Sequence, residues 1–339
     1  MKKELNVLYQ FDENYAPFAG ISMLSLFSHN KDIEDLHVYC ITMNVSDNNI
    51  ELLNKTAKKY GRKLLYLNSE NTIKKMEQIN IKGWNGSLAT WMKMFIIEEL
   101  SEKLNSLLYI DCDTLIEDSL CDLCDYDFDG NAMACVADSI GFRHYRRLAL
   151  KHSPHYFNAG VIFFNLKYFS EHANYYSKMI EHLKNNVERY SLNDQDLLND
   201  YFDGNIKTLS PKYNFQGIHY MYPEKTYFNV FIKKENYYSI EEIADARKHP
   251  KIIHFFRALG DYPWEPGNLH PIRKEFEKWK SRSLWNTYTV SPKKRTLFFK
   301  IERMLYVMLP KGMFLRLFKC IKTLKTKQIE RIICKKNKI

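Results

Sequence analysis

The stretch Ser106-Leu107-Leu108-Tyr109-Ile110-Asp111-Cys112-Asp113-Thr114-Leu115 runs an apolar strand straight into two carboxylates one residue apart. Side chains alternate along an extended chain, so Asp111 and Asp113 project to the same side. Two carboxylates at the carboxyl end of a buried strand make a hard oxygen site for a divalent cation. That edge is also where open α/β sheets take their ligands.

Upstream, Leu5–Phe11, Leu36–Ile41 and Leu64–Leu67 read as buried strands, separated by two helical patterns. Ser46 or Asp47 can cap the second helix, which runs to Gly61. This alternation predicts an α/β fold with a parallel sheet of nucleotide-binding type. No Gly-x-Gly-x-x-Gly follows the first strand, so a diphosphate would have to be neutralised another way. A metal on Asp111 and Asp113 would do that. Gly83–Ser87 reads as a turn and Leu88–Leu100 as a helix. Within that apolar helix stands Lys93, whose ammonium either snorkels to solvent or serves the site. The helix pattern alone does not decide between the two.

Downstream, Ala132–Ala137 is a buried strand ending in Asp138, and Phe157–Asn165 is another with Asn158 at its mouth. A single helix is expected from about Leu166 to Asn186. Asn193-Asp194-Gln195-Asp196 opens the next helix, where an N-cap accounts for one polar residue but not four. Ile252–Phe256 is a late strand carrying His254, with Pro263-Trp264 in the loop beyond.

The charge of +10 over 339 residues is unevenly placed. From Val290 onward fifteen Lys and Arg face only Glu302 and Glu330, a net of +13, which leaves the rest of the chain at −3. The main domain therefore offers no basic groove for nucleic acid. Seven cysteines and no apolar targeting segment after Met1 predict a reducing cytoplasm. Cys121 and Cys124 read as ordinary thiols, since no second Cys or His pair lies at zinc-site distance. No apolar run is long enough for a membrane span.

The ordered set Phe11-Asp12-Glu13-Asn14-Tyr15, Ala89–Lys93, Tyr109–Asp113, Val136-Ala137-Asp138, Phe157–Val161, Asn193–Asn199, Tyr213-Asn214-Phe215 and His254-Phe255 with Pro263-Trp264 resembles the family 8 retaining glycosyltransferases. That group includes glycogenin and the galactosyl- and glucosyltransferases of bacterial lipopolysaccharide synthesis. The resemblance implies a GT-A fold, a Rossmann-like mixed central sheet flanked by helices, and a UDP-hexose donor. It implies Asp111, Asp113 and His254 as ligands of Mn²⁺ or Mg²⁺, with the imidazole leaning toward Mn²⁺. Asp12 and Asn14 would hydrogen-bond the uridine and Tyr15 would stack on the base. Gln10, Cys112 and Lys93 would complete the nucleotide side. Asp138, Asn158 and Asp194 would grip sugar hydroxyls, and Gln195 would lie near the anomeric carbon. As catalytic residues it implies Gln195, Asp194 and Lys93. Relatives often read His-Phe-x-Gly-x-x-Lys-Pro-Trp, whereas here the run from His254 to Trp264 is two residues longer. Tyr262 stands where that Lys would be, and Arg257 is the candidate replacement.

The expected organisation is a catalytic domain over 1–265, an extension over 266–289 and a basic amphipathic helical tail over 290–339. Phe314, Leu317, Phe318, Ile321 and Leu324 would form the tail's apolar face, with Arg316, Lys319, Lys322 and Lys327 mainly opposite. Such a helix either lies on an anionic membrane surface or docks on the catalytic domain with a solvated basic face, and the membrane is the expectation here. The protein would then attach peripherally to the inner face of the cytoplasmic membrane and meet a saccharide or lipid-linked saccharide acceptor there. Two alternatives remain at this stage: a haloacid-dehalogenase-type phosphatase using Asp111 as nucleophile, and a non-catalytic sugar-nucleotide-binding protein.

Overall fold

The computed structural model describes residues 3–68, 70–79, 89–172, 174–231 and 237–321. The first half contains β1 (Glu4–Asp12), α1 (Ala16–His29), β2 (Asp35–Met43), α2 (Asp47–Lys58), β3 (Leu64–Leu67), α3 (Glu70–Ile79), α4 (Ala89–Leu100), β4 (Ser106–Ile110), β5 (Thr114–Ile116), β6 (Met133–Ala137) and α5 (Phe142–Leu148). The second half contains β7 (Phe157–Asn165), α6 (Leu166–Glu171), α7 (Tyr175–Asn186), α8 (Asn193–Tyr201), β8 (Ile206–Thr208), β9 (Phe215–Gln216), α9 (Ile218–Met221), α10 (Glu224–Phe231), α11 (Ile240–Lys248), β10 (Ile252–His254), α12 (Arg273–Arg282) and α13 (Leu297–Met308). A further helical stretch covers 311–321.

Seven strands form one sheet in the order β3-β2-β1-β4-β7-β6-β8, and β5, β10 and β9 form a small second sheet. β1 is parallel to β2 and β4, and β2 to β3. β7 runs antiparallel to both β4 and β6, so the sheet is mixed. This single reversal has a functional result. The ends of β1, β4 and β6 and the start of β7 share one edge, which gathers Asp12, Asp111, Asp138 and Asn158. The edge lies where β2 and β4 leave β1 on opposite sides, the switch point of the topology.

Alternation along the strands builds a core layer on each face. Leu5, Val7, Tyr9 and Phe11 of β1 and Leu108 and Ile110 of β4 join α1 on one side. Leu8, Leu107 and Tyr109 join α4 on the other. Strands buried on both faces read as continuous apolar runs, as the sequence does here. Ser46 caps α2 by accepting from Asn49 N at 3.3 Å, and Glu13 closes over the same turn through Ser46 and Asn49.

The expected single helix over 166–186 is two helices, α6 and α7. Asn174 stands between them with φ 65°, a left-handed conformation that Asn tolerates and that interrupts a right-handed helix. The expected turn at Gly83–Ser87, and Leu88, lie outside the described residues.

The C-terminal segments are fastened to the catalytic domain. Trp285 lies against Gly20, where a Cβ would come 2.0 Å from the indole ring, and its Nε1 donates to Asn49 Oδ1 at 2.8 Å. Arg295 reaches Asp261 at 3.0 Å, and Arg303 pairs with the same carboxylate. Lys293 pairs with Glu265, and Phe299 packs on Gly260.

The tail's apolar face differs from expectation. Phe314 and Leu315 are buried, and Phe314 stacks on Tyr222 with ring centroids 6.5 Å apart. An aromatic cluster of the domain thus takes Phe314, one of the residues that the sequence pattern offers to lipid, while Leu317 of the same expected face stays exposed. The tail's exposed apolar residues are Leu297, Ile301, Met304, Val307 and Met308 on α13, with Met313 and Leu317 beyond it. Lys322, Leu324 and Lys327 lie outside the described residues. Among the described residues, no helix is long and apolar enough to cross a membrane.

Candidate active site

Asp111 leaves the end of β4 and Asp113 leads into β5. The third candidate ligand, His254, arrives through a strand ladder. β10 pairs antiparallel with β5 so that His254 lies opposite Thr114, and Phe255 N donates to Asp113 O at 2.9 Å. Backbone register thus places a residue from far along the chain beside the two carboxylates. Ligand atoms of Asp111, Asp113 and His254 all lie within 4.8 Å of one another. His254 Nε2 is 3.3 Å from Asp113 Oδ1 and 3.9 Å from Asp111 Oδ2.

These residues fit a small divalent cation. Bonds of about 2.1 Å put neighbouring ligand atoms about 3 Å apart and opposite ones about 4 Å apart, and the two His254 separations of 3.3 and 3.9 Å fall in that range. Oxygen donors with one imidazole suit Mn²⁺ and Mg²⁺ better than a thiolate-seeking metal. The tautomer also fits. His254 Nδ1 is 3.0 Å from Asn214 Oδ1, an oxygen that can only accept, so the imidazole keeps its proton there and turns Nε2 to the carboxylates.

Electrostatics favour a cation at this point. Burial pushes the Asp111 carboxyl up to about 6, against the pull of Lys93, although a third of its side chain reaches solvent. Burial alone would lower the His254 pKa, but Asp113, Asp111 and Asp138 outweigh it and hold it above its ordinary value. The field that favours a proton at Nε2 also favours a metal ion.

Gly160 makes the arrangement sterically possible. It faces Asp111, whose N–H donates to the Gly160 carbonyl at 2.7 Å. A Cβ there would lie 2.2 Å from His254 Cε1 and 2.9 Å from Asp111 Oδ2.

Beside the three ligands is a cleft of about 180 Å³ walled by Gln10, Lys93, Tyr109, Asn158, Asp194 and Gln195, among others. Lys93 does not snorkel. It is buried in α4, with its Nζ 2.8 Å from Asp194 Oδ2 and 4.3 Å from the centre of the Tyr109 ring. Tyr109 OH donates to Asp111 Oδ1. Burial pushes the Lys93 pKa down, but Asp194, Asp111 and Asp113 together hold it above its ordinary value. The cation therefore stays charged in an otherwise apolar helix.

Asn158, Asp138 and Gln195 form a closed triangle. Asn158 Nδ2 donates to Asp138 Oδ2 and to Gln195 Oε1, each at 3.1 Å. Gln195 Nε2 donates to Asp138 Oδ2 at 3.2 Å, and Ala159 N donates to Gln195 Oε1 at 3.0 Å. Asn214 Nδ2 donates to Asn158 Oδ1 at 2.8 Å, so one residue supports both this triangle and His254.

The four polar residues at the start of α8 divide their work. Asn193, Asp194 and Gln195 line the cleft. Asp196 is fully buried and receives Tyr156 OH at 2.7 Å, Leu192 N at 2.8 Å, Ser191 N and Arg147. It fixes the start of the helix. Asn199 pins α8 to β7 through both the N–H and the carbonyl of Phe157, at 2.6 and 2.8 Å.

The profile described as glycosyl transferase family 8 matches residues 6–265. The chain belongs to this family. It is 24% identical to general stress protein A of Bacillus subtilis over 85% of this chain and 97% of that one. It is 30% identical to a lipopolysaccharide 1,2-glucosyltransferase of Escherichia coli over 63% of each chain. It is 24% identical to the lipopolysaccharide 1,3-galactosyltransferase of Salmonella typhimurium over 84% of this chain and 80% of that one. Among solved structures, the galactosyltransferase LgtC with donor and acceptor sugar analogs shares the fold, with a TM-score of 0.64 and 19% identity over 85% of this chain and 98% of that one. The apo bifunctional glycosyltransferase WbbM shares it with a TM-score of 0.67 and 21% identity, covering 85% of this chain and 51% of that one.

Family 8 membership and the GT-A fold make this chain a glycosyltransferase and remove both the phosphatase and the non-catalytic readings. The remaining residues singled out in this family 8 enzyme stand at the rim. Asp12 Oδ1 accepts Tyr15 N at 3.0 Å, shaping the loop that presents the exposed Asn14 and Tyr15. The Cys112 thiol turns inward and donates to the Gln10 carbonyl at 3.3 Å, so its side chain serves packing. The exposed Arg257 lies over the Tyr262 ring, 5.0 Å from its centre, and Tyr262 stacks on Trp264 at 4.5 Å. Sequence reasoning missed the roles of Asn214 and Gly160. Both lie inside stretches that carried the family resemblance, but neither residue type signals a metal by itself.

Proposed function

We propose that this enzyme transfers a hexose, galactose or glucose, from its UDP conjugate to a saccharide acceptor with retention of configuration, in building a bacterial surface polysaccharide. The convergence of Asp111, Asp113 and His254 beside the Lys93–Asp194 cleft carries the reading. Asp111, Asp113 and His254 would hold Mn²⁺ or Mg²⁺. When bound, such an ion supplies Lewis-acid stabilisation of the departing diphosphate.

The protein groups supply position and charge. Gln10, Asp12, Asn14 and Tyr15 take the nucleoside at the ends of β1 and β4, with Arg257 at the rim beside the diphosphate. Asp138, Asn158 and Asp194 hold the sugar hydroxyls. Lys93 opposes the burial that raises the Asp194 pKa and adds positive charge behind Asp111. Gln195 is an amide held by three hydrogen bonds, which suits orientation rather than nucleophilic attack. Retention then proceeds on one face of the sugar, with the leaving phosphate accepting the acceptor's proton, rather than through a glycosyl-carboxylate intermediate.

The exposed stripe of α13, flanked by Lys293, Lys294 and Lys300, suits attachment to an anionic inner membrane face, where a lipid-linked acceptor is presented. Sedimentation with phosphatidylglycerol vesicles, lost on Met304→Glu with Val307→Glu, tests that part.

The activity is tested by screening UDP-hexoses for Mn²⁺-dependent hydrolysis and transfer. Asp111→Asn and Asp113→Asn should abolish turnover with the fold intact. Near-normal turnover in either variant overturns the metal assignment. Tight UDP binding without turnover of any UDP-hexose overturns the activity.

A further inference from the structure

A second cavity, of about 530 Å³, is lined in part by Asp138. Its size falls within the range of small-molecule sites. It shares a wall with the donor cleft, because Asp138 lines it while Asn158 and Gln195, both bonded to Asp138 Oδ2, line the cleft. A molecule here therefore sits next to the sugar being transferred.

Three features define what the cavity takes. Its walls are aromatic, with Phe142 and Tyr145 from α5, Tyr156, and Phe231 from α10. Flat aromatic faces suit the C–H faces of a sugar ring, and Phe142 is 40% exposed with its ring available. The one lining carboxylate, Asp138, is already engaged by Ile140 N at 2.8 Å, Asn158 and Gln195. Two cations complete the lining, Arg146 from α5 and Lys319 from the 311–321 helix. Arg146 is exposed and has no ion-pair partner among the described residues. Lys319 Nζ donates to the Val230 carbonyl, which holds the ammonium at the cavity wall.

We infer that this cavity binds the acceptor and that the acceptor is an anionic saccharide, its phosphate or carboxylate held by Arg146 and Lys319 and its ring by the aromatic wall. The identification of the occupant as the acceptor rests on the glycosyl-transfer reading above. The preference for an anionic sugar rests on the cavity alone. The C-terminal helix is then part of acceptor recognition, since it contributes one of the two cations.

The test measures binding rather than turnover. The full chain is titrated with glucose, glucose 6-phosphate, glucuronic acid and inorganic phosphate, followed by saturation-transfer NMR. Glucose 6-phosphate and glucuronic acid should bind about tenfold more tightly than glucose, the scale of a charge-assisted hydrogen bond. Arg146→Ala and Lys319→Ala should each erase most of that preference with unchanged melting temperature. Phe142→Ala should weaken all three sugars and leave inorganic phosphate unaffected. Equal binding of glucose and glucose 6-phosphate, or a preference that survives the Arg146→Ala/Lys319→Ala double variant, overturns the inference. So does inorganic phosphate binding as tightly as glucose 6-phosphate, which marks an anion site without sugar recognition. Anionic-sugar binding in a protein that hydrolyses no UDP-hexose supports the site and overturns the transferase reading instead.

Discussion

Lys93 and Asp194 form a 2.8 Å ion pair whose side chains are 4% and 9% exposed. Removing two charges from water costs several kcal/mol per ion, so each depends on the other. Lys93→Met strands a buried carboxylate and should destabilise the protein by about 3–5 kcal/mol. The double variant Lys93→Met/Asp194→Asn should recover part of that loss in urea melts while remaining inactive. If the single variant is as stable as wild type, the pair is not the buried unit described.

Gly160 allows no side chain. With a Cβ 2.2 Å from His254 Cε1 and 2.9 Å from Asp111 Oδ2, Gly160→Ala must push His254 and Asp111 apart. Overpacking of this kind costs about 1–3 kcal/mol. The expected outcome is a modest fall in melting temperature with a disproportionate loss of Mn²⁺ binding, read by electron paramagnetic resonance. Unchanged Mn²⁺ affinity would argue that His254 is not a ligand.

Asn214 orients His254 and braces Asn158. Such outer partners typically contribute about 10–100-fold to metal affinity. Asn214→Leu should therefore weaken Mn²⁺ by that order without touching a ligand. Asn214→Asp keeps the acceptor for His254 Nδ1 and should restore much of the affinity. A competition titration against a chelator separates the two variants.

His219 is fully buried, and burial together with nearby Arg247 pushes its pKa down to about 3. Its Nε2 lies 2.8 Å from Tyr237 OH. The folded state keeps the imidazole neutral, whereas the unfolded chain takes up a proton near pH 6.5. The stabilisation from this group is therefore complete above about pH 6.5 and declines as pH falls toward the folded value. The slope approaches about 1.4 kcal/mol per pH unit, or roughly 2–3 kcal/mol between pH 6.5 and 4.5. His219→Gln should flatten that part of the profile in denaturant titrations at pH 7.0 and 4.5. A parallel decline in both proteins would show that other groups set the acid sensitivity.

Much of this site was legible before the fold was known, for physical reasons that also mark the limits. Asp111 and Asp113 announce themselves because an apolar strand ending in paired carboxylates has few structural explanations. His254 needed its family context, since only the β5–β10 ladder carries it to the carboxylates. Lys93 stayed ambiguous because its partner Asp194 is remote in sequence. Asn214 and Gly160 act through geometry, one by a single hydrogen bond and one by the absence of an atom. The break at Asn174 depends on a left-handed backbone that Asn permits but does not require. In the tail, the pattern of apolar and basic residues could not say which apolar side chains the domain would claim. Phe314 went to Tyr222, and α13 kept the exposed stripe.

Asp261 is 4% exposed and takes its charge partners from Arg295 and Arg303. It sits in the segment that also carries Arg257 and Tyr262 at the rim of the metal site. A shortened enzyme ending near residue 290 would thus confront a sealed-in anion with no counter-charge, one residue from a rim tyrosine. Any drop in turnover after such trimming would report damage inside the catalytic domain as readily as loss of a lipid foothold. Charge substitutions on the outer stripe of α13 avoid that ambiguity, because they leave both guanidiniums on Asp261. The C-terminal arm is better regarded as a buttress of the catalytic rim than as a detachable handle.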